Sequence, residues 1–219
     1  MIKIKTEKEI STMQEGGQIL AKVLKAVEKL VKPGITTLEL DRAAEALILS
    51  AGAKSGFKGH EGFNYSLCTS VNENIVHGLP SNKAVLKEGD IIGLDLGVLY
   101  KGYYSDMAVT IPVGKVSFET KRLINVAKKS LRLGIKKVKI GNTVGDISNT
   151  IQRYVEDQGF EVVKDLCGHG IGKDLHEAPK IPNFGKRGHG EKLIEGMVIC
   201  IEPMITAGDW HLTKAKDGF

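Results

Sequence analysis

The sequence predicts an α/β (α+β) fold made of two related halves, and three observations predict it. Apolar residues at helical spacing come in paired stretches, 6–30 with 36–50 and 117–135 with 143–158. Between the pairs, an apolar run after Gly89 returns through a Tyr-rich stretch to Asp106, as a β-hairpin would. The punctuation of the first half also recurs in the second at one offset of 107 residues. Lys32, Gly34, Thr36, Glu39 and Gly52 fall on Lys139, Gly141, Thr143, Asp146 and Gly159, and Glu88-Gly89 falls on Glu195-Gly196.

Taken in order, the first helix carries Ile10, Met13, Ile19, Leu20, Val23, Leu24, Val27 and Leu30 on one stripe. Thr6 and Glu9 form its capping box, and Lys32-Pro33-Gly34 ends it. The second helix opens at Thr36 with Glu39 as box partner and stops before Gly52. A Gly-rich polar segment over 53–74 holds one expected strand, 63–70, and leads to His77. After Val113-Gly114 the pattern begins again, with a helix over 117–135 and another over 143–158. The latter is boxed by Thr143 and Asp146 and stopped at Gly159. The chain is therefore read as a single domain, 1–219, with repeat halves of about 1–114 and 115–219, the second incomplete.

Composition narrows the function classes. A formal charge of +5 in 219 residues suits an acidic partner, but the cations are interspersed with acids, so a solvated surface is the simpler reading. Cys68, Cys167 and Cys200 are odd in number and without CxxC spacing, which argues against a disulfide framework or a thiolate zinc site; Cys200, in an apolar run, reads as core. The N-terminal MIKIKTEKEI has no apolar signal segment and no stretch of about 20 apolar residues follows, so a cytoplasmic protein is expected.

The hairpin at 89–106 carries the chemistry. If Val98 faces Tyr103 across a loop at 99–102, then Asp95 faces Asp106 with Cβ atoms about 4.5–5.5 Å apart. Two like charges that close are destabilising unless a cation lies between them or they share a proton, so a divalent metal site is expected. The repeat aligns the strand ending in Asp95 with one ending in Glu202, and a pseudo-twofold would bring the two acids together. With His169, set among glycines in Cys167-Gly168-His169-Gly170-Ile171-Gly172, the candidate ligands are Asp95, Asp106, His169 and Glu202. Carboxylates with one imidazole suit Mn, Fe, Co or Zn, and a shared carboxylate permits two ions. Those glycines do not make a dinucleotide loop, because no helical pattern follows before Pro179. His176 and His77 are further candidates; His189 and His211 read as surface.

The succession VNENIVHG, DLGVLYKGYYSDMAVT, CGHGIGKDLHEAP and GMVICIEPM resembles type I methionine aminopeptidases of the short bacterial form, over essentially the whole chain. The resemblance implies the duplicated "pita-bread" (creatinase/aminopeptidase) fold, a central curved antiparallel sheet covered by helices. It implies removal of the initiator methionine from nascent polypeptides by a cytoplasmic monomer using two divalent ions, Co, Mn, Fe or Zn. Asp95 and Asp106 would bind one ion, and Asp106, His169 and Glu202 the other. Glu202 would shuttle the proton of the attacking water, His176 would hydrogen-bond the oxyanion and His77 would hold the peptide. The methionine pocket would comprise Phe57, His60, Phe63, Cys68, His77, Leu175, His176 and Phe219, apolar rings and a soft sulfur that suit a thioether. Phe57, His60 and Leu175 depart from the residues usual in the bacterial enzymes. The family's fifth ligand, a Glu on the strand after Glu202, has no counterpart among the 17 residues that follow, so a C-terminally truncated sequence is expected. The alternatives are a catalytically silent module of the same fold docking on ribosomes or nucleic acid, and an aminopeptidase with another first-residue preference. Transient ribosome contact is compatible with either activity, whereas membrane binding and sequence-specific nucleic-acid recognition are not expected.

Overall fold

The computed structural model describes residues 1–214. Cα packing divides them into two units, one of Lys8–Thr120 with Lys173–Leu175, the other of Met1–Glu7, Lys121–Gly172 and His176–Lys214.

In the first unit α1 (Glu7–Glu28) buries Met13, Gly16, Leu20, Val23, Leu24 and Val27, one face at helical spacing. Helix α2 (Thr37–Ser50) starts on the expected box. Thr36 Oγ1 accepts from the Glu39 N–H at 3.2 Å, and Glu39 Oε2 accepts from the Thr36 N–H at 2.8 Å. Both helices pack on a sheet in which β3 (Ile91–Tyr100) pairs with β1 (Lys54–Ser55) and β2 (Leu67–Val71) on one edge and with β4 (Tyr103–Pro112) on the other. Ile92, Leu94, Leu96 and Val98 of β3 face the core with Leu20, Leu24, Leu40 and Ile48, which leaves Gly93, Asp95 and Gly97 on the opposite face.

Two expectations are corrected here. The strand expected over 63–70 begins at Leu67, because Phe63 belongs to a tight loop in which Gly59 N–H donates to Phe63 O (2.8 Å) and Phe63 N–H to His60 O (2.9 Å). The hairpin register also differs. Tyr100 faces Tyr103, Asp95 faces Ala108 and Asp106 faces Gly97, so the two acids are diagonal rather than opposite. The turn is only Lys101-Gly102, with φ of 49° and 84°. Two positive values give the turn a twist that matches the right-handed twist of the strands.

In the second unit α3 (Phe118–Ile135) and α4 (Val144–Asp157) supply Val126, Val144, Ile147, Ile151 and Val155 to a core shared with Phe160, Val162, Ile181 and Leu193. Strand β5 (Glu161–Val162) pairs with β8 (Ile205–Thr206), and β6 (Cys167–Gly170) with β7 (Glu177–Pro182). The strand expected to end at Glu202 is not a regular strand. Residues 198–200 hydrogen-bond along 169–171, through Ile171 N–H to Val198 O (3.1 Å) and Cys200 N–H to His169 O (2.7 Å). In the first unit β3 is held on both edges; among the described residues no segment pairs with the other edge of this one.

The units reuse the same local devices 107 residues apart. Gly34 N–H donates to Leu86 O and Gly141 N–H to Leu193 O; Leu86 N–H donates to Ile35 O and Leu193 N–H to Asn142 O. Isolated bridges join Thr36 to Val85 and Thr143 to Lys192. The glycines of these turns have matching φ, 90° and 89° at Gly34 and Gly141, and 72° and 76° at Gly52 and Gly159. No helix of the described residues is long and apolar enough to cross a membrane.

Candidate metal and substrate site

In the first unit the non-core face of the hairpin gathers the acids and part of the expected pocket. The register places Asp95 beside Cys68 of β2 and Asp106 across from Gly97, so both carboxylates and the thiol share one face. Diagonal neighbours lie about 7–8 Å apart at the backbone, a separation that weakens carboxylate repulsion while both side chains still reach a common cation. Both acids are half-buried. Their charge is felt at Cys68, whose thiol is pushed up, first by burial and then by Asp95 and Asp106.

The Phe57 ring lies directly over Gly97, where an added Cβ would sit 2.5 Å from ring carbon Cε1. A glycine inside a strand is the sequence signal for such an approach. Phe57 meets Phe63 edge to face at 6.4 Å, and Phe63 meets Tyr65 at 5.8 Å. Phe57, Phe63 and Cys68 are thus a buried aromatic and sulfur wall next to the acids. His60 is half-buried and Leu175 buried. His77 is exposed, with a φ of 56°, where the chain leaves Val71 and returns to β2 at Gly78, whose carbonyl accepts from the Thr69 N–H at 2.7 Å. Phe219 lies outside the described residues.

In the second unit His169 of β6 is buried, 8% exposed, and its Nδ1 is 2.8 Å from the Gly170 carbonyl oxygen. A carbonyl accepts only, so Nδ1 carries a proton and Nε2 is the nitrogen left to face a ligand. That Nε2 is 3.2 Å from Glu202 Oε1, a buried oxygen that meets no hydrogen-bond donor. Two electron-pair donors held face to face need a cation or a proton between them. The donor set of imidazole and carboxylate fits a divalent metal, and the Gly170 carbonyl orients the imidazole from behind. The His176 ring stands edge to face against His169 at 4.5 Å and is exposed to solvent.

Three residues here were not anticipated. Cys200, expected in the core, is half-buried, because alternation turns Ile199 and Ile201 to the apolar core and Cys200 to the face carrying Glu202. Its Sγ lies within 4.8 Å of a His169 ring nitrogen. Asn183, 1% exposed, donates Nδ2–H to the Glu202 carbonyl at 2.8 Å and so fixes the backbone of that residue. Glu177, next to His176, is buried against Lys5. Period-2 alternation after His176 was the available signal for Glu177; for Asn183 the sequence carries none. A surface hollow of ≈ 350 Å³ lined by Gly159, Glu161, Ala207, Gly208, Asp209 and Trp210 contains none of the candidate ligands, and Asp209 there is engaged by His211 at 2.5 Å.

The profile of metallopeptidase family M24 matches residues 11–217. The methionine aminopeptidase of Clostridium acetobutylicum is 49% identical over 218 residues, 99% of this chain and 87% of that protein. Methionine aminopeptidase 1 of Bacillus subtilis is 45% identical, covering 100% and 88%. The crystal structure of methionine aminopeptidase from Thermotoga maritima superposes with a TM-score of 0.98 at 43% identity, covering 100% of this chain and 88% of that one. The prolidase from Pyrococcus furiosus is more distant, with a TM-score of 0.77 at 25% identity, covering 91% and 57%. The pita-bread class expected from the sequence is the fold these neighbours share.

Proposed function

The chain belongs to metallopeptidase family M24, and from that membership we propose that it is a divalent-metal-dependent hydrolase releasing the initiator methionine from nascent polypeptides in the cytoplasm. The observation that carries the reading is the whole-chain likeness to methionine aminopeptidases, which sets aside the silent-module and altered-specificity alternatives.

Asp95, Asp106, His169 and Glu202 hold the metal in this proposal. What supports them is the shared face of the hairpin acids and the facing of His169 Nε2 and Glu202 Oε1. A bound divalent pair supplies Lewis acidity and lowers the pKa of water, and Co, Mn, Fe or Zn fits the donors. The oxygen of water attacks the carbonyl carbon of the first peptide bond. Glu202 accepts its proton and returns it to the nitrogen as the C–N bond breaks. His176, exposed beside His169, donates a hydrogen bond to the oxyanion as it develops, and His77 holds the peptide. The wall of Phe57, Phe63 and Cys68, with His60 and Leu175, receives the thioether and keeps water from it.

The purified chain, incubated with Met-Ala-Ser and each of Mn, Co, Fe(II) and Zn, is expected to release free methionine. Leu-, Ala- and Pro-first peptides are expected to remain intact, and D106A to abolish release. No release with any of the metals, or release that survives D106A, overturns the assignment.

A further inference from the structure

Lys5 and Glu177 form an ion pair deep in the second unit. Lys5 Nζ donates to Glu177 Oε2 at 2.7 Å, and the side chains are 5% and 2% exposed. The catalytic reading above uses neither residue. Isolated buried charges are costly, so a pair this dry persists where the surroundings hold both partners in place.

Here they do. The Lys5 N–H donates to Gly196 O at 2.9 Å and its ammonium also donates to Lys3 O at 3.0 Å, clamping the residue at backbone and side chain. Lys3 Nζ stands 3.5 Å from the second carboxylate oxygen. Gly172 passes so near that a Cβ would be 2.6 Å from Lys5 Cε and 2.8 Å from Glu177 Oε1, and at Gly196 a Cβ would be 2.8 Å from Lys5 O. Two glycines make the space in which the pair sits.

What the pair restrains is the segment carrying the two histidines. Glu177 is opposite Gly170 across β6 and β7, at a register shift between His169 and Gly170. That same Gly170 carbonyl orients His169. Burial along β7 alternates from Glu177 onward, so anchoring Glu177 inward turns the preceding residue, His176, outward to stand against the His169 ring.

We propose that the Lys5–Glu177 pair, with the N-terminal segment that brings Lys5, is a positioning device that sets the His176 imidazole for its hydrogen bond to the oxyanion. The inference rests on the aminopeptidase reading for what His176 does, but the placement of the ring is independent of activity. A displaced oxyanion donor costs kcat more than KM, because it acts only as charge develops.

The test uses the full chain, zinc-loaded, as K5M, E177Q and K5R, with the apolar double variant K5M/E177L as a form that leaves no buried charge unpaired. Nuclear Overhauser contact between the His169 and His176 ring protons is expected in the wild type and K5R. It is expected to be lost in K5M and E177Q, or in the double variant should a single one fail to fold. On Met-Ala-Ser, kcat is expected to fall about 10- to 100-fold in the same variants, with KM and metal content unchanged and activity kept in K5R. In an H176A background, adding K5M is expected to change kcat less than about twofold. Ring contact and kcat preserved in a folded K5M, or the same further loss of kcat in the H176A background, overturns the proposal. A wild type that keeps the ring contact but releases no methionine overturns the aminopeptidase reading and leaves the positioning standing.

Discussion

At Cys68 the protein keeps a thiol where a thiolate would be costly. The residue is buried, and Asp95 and Asp106 share its face of the sheet, so burial first and neighbouring negative charge second oppose ionisation. Alkylation requires the thiolate. Iodoacetamide at pH 8 is therefore expected to label the half-buried Cys167 and Cys200 well before Cys68, read by peptide mass spectrometry; Cys68 labelled first would contradict this account. His169 makes the complementary case, since its reactive nitrogen is set by a backbone carbonyl behind it. That residue types pointed to a metal was readable from Asp95, Asp106, His169 and Glu202 themselves. Cys200, Asn183 and Glu177 were not readable in the same way, because each takes its importance from a packing partner; Lys5 is 172 positions from Glu177.

At the scale of elements, helix starts were the most legible feature, because a capping box is chemically local. The helix expected over 143–158 is Val144–Asp157, and its N-cap Thr143 donates its backbone N–H to Asp146 Oδ2 at 2.8 Å. That bond, then the Thr143 hydroxyl, holds the Asp146 carboxyl below the usual aspartate range. A depressed folded value means that its stabilisation is complete above the unfolded value, near 4, and is lost as the pH falls through the lower, folded one. The Tm of D146N is accordingly expected below that of the wild type at pH 7, the gap closing on acidification below about pH 4. A gap that does not change with pH would remove the carboxylate from the explanation. The hairpin was less legible. Lys101-Gly102 marked the turn, but which residues faced each other depended on its two positive φ values.

For the whole molecule, a metal that binds the native state and not the unfolded chain must stabilise it. Stripping with a chelator is expected to abolish methionine release and lower Tm. Restoring free metal to 100 times its Kd is expected to return about 2.7 kcal/mol, roughly 2–4 °C of Tm for each. A Tm indifferent to chelation and reload would argue against a native divalent site. At this scale the sequence by itself determined the repeated helix boundaries and the strand of β3. These depend on caps, glycines and alternation within a few residues of one another. Only the tertiary structure decided that the hairpin acids are diagonal, that residues 198–200 bond along 169–171, and that a buried lysine near the N-terminus holds the residue beside His176. The physical reason is that register, edge pairing and the burial of charge are properties of segments brought together from distant parts of the chain, which no local pattern records.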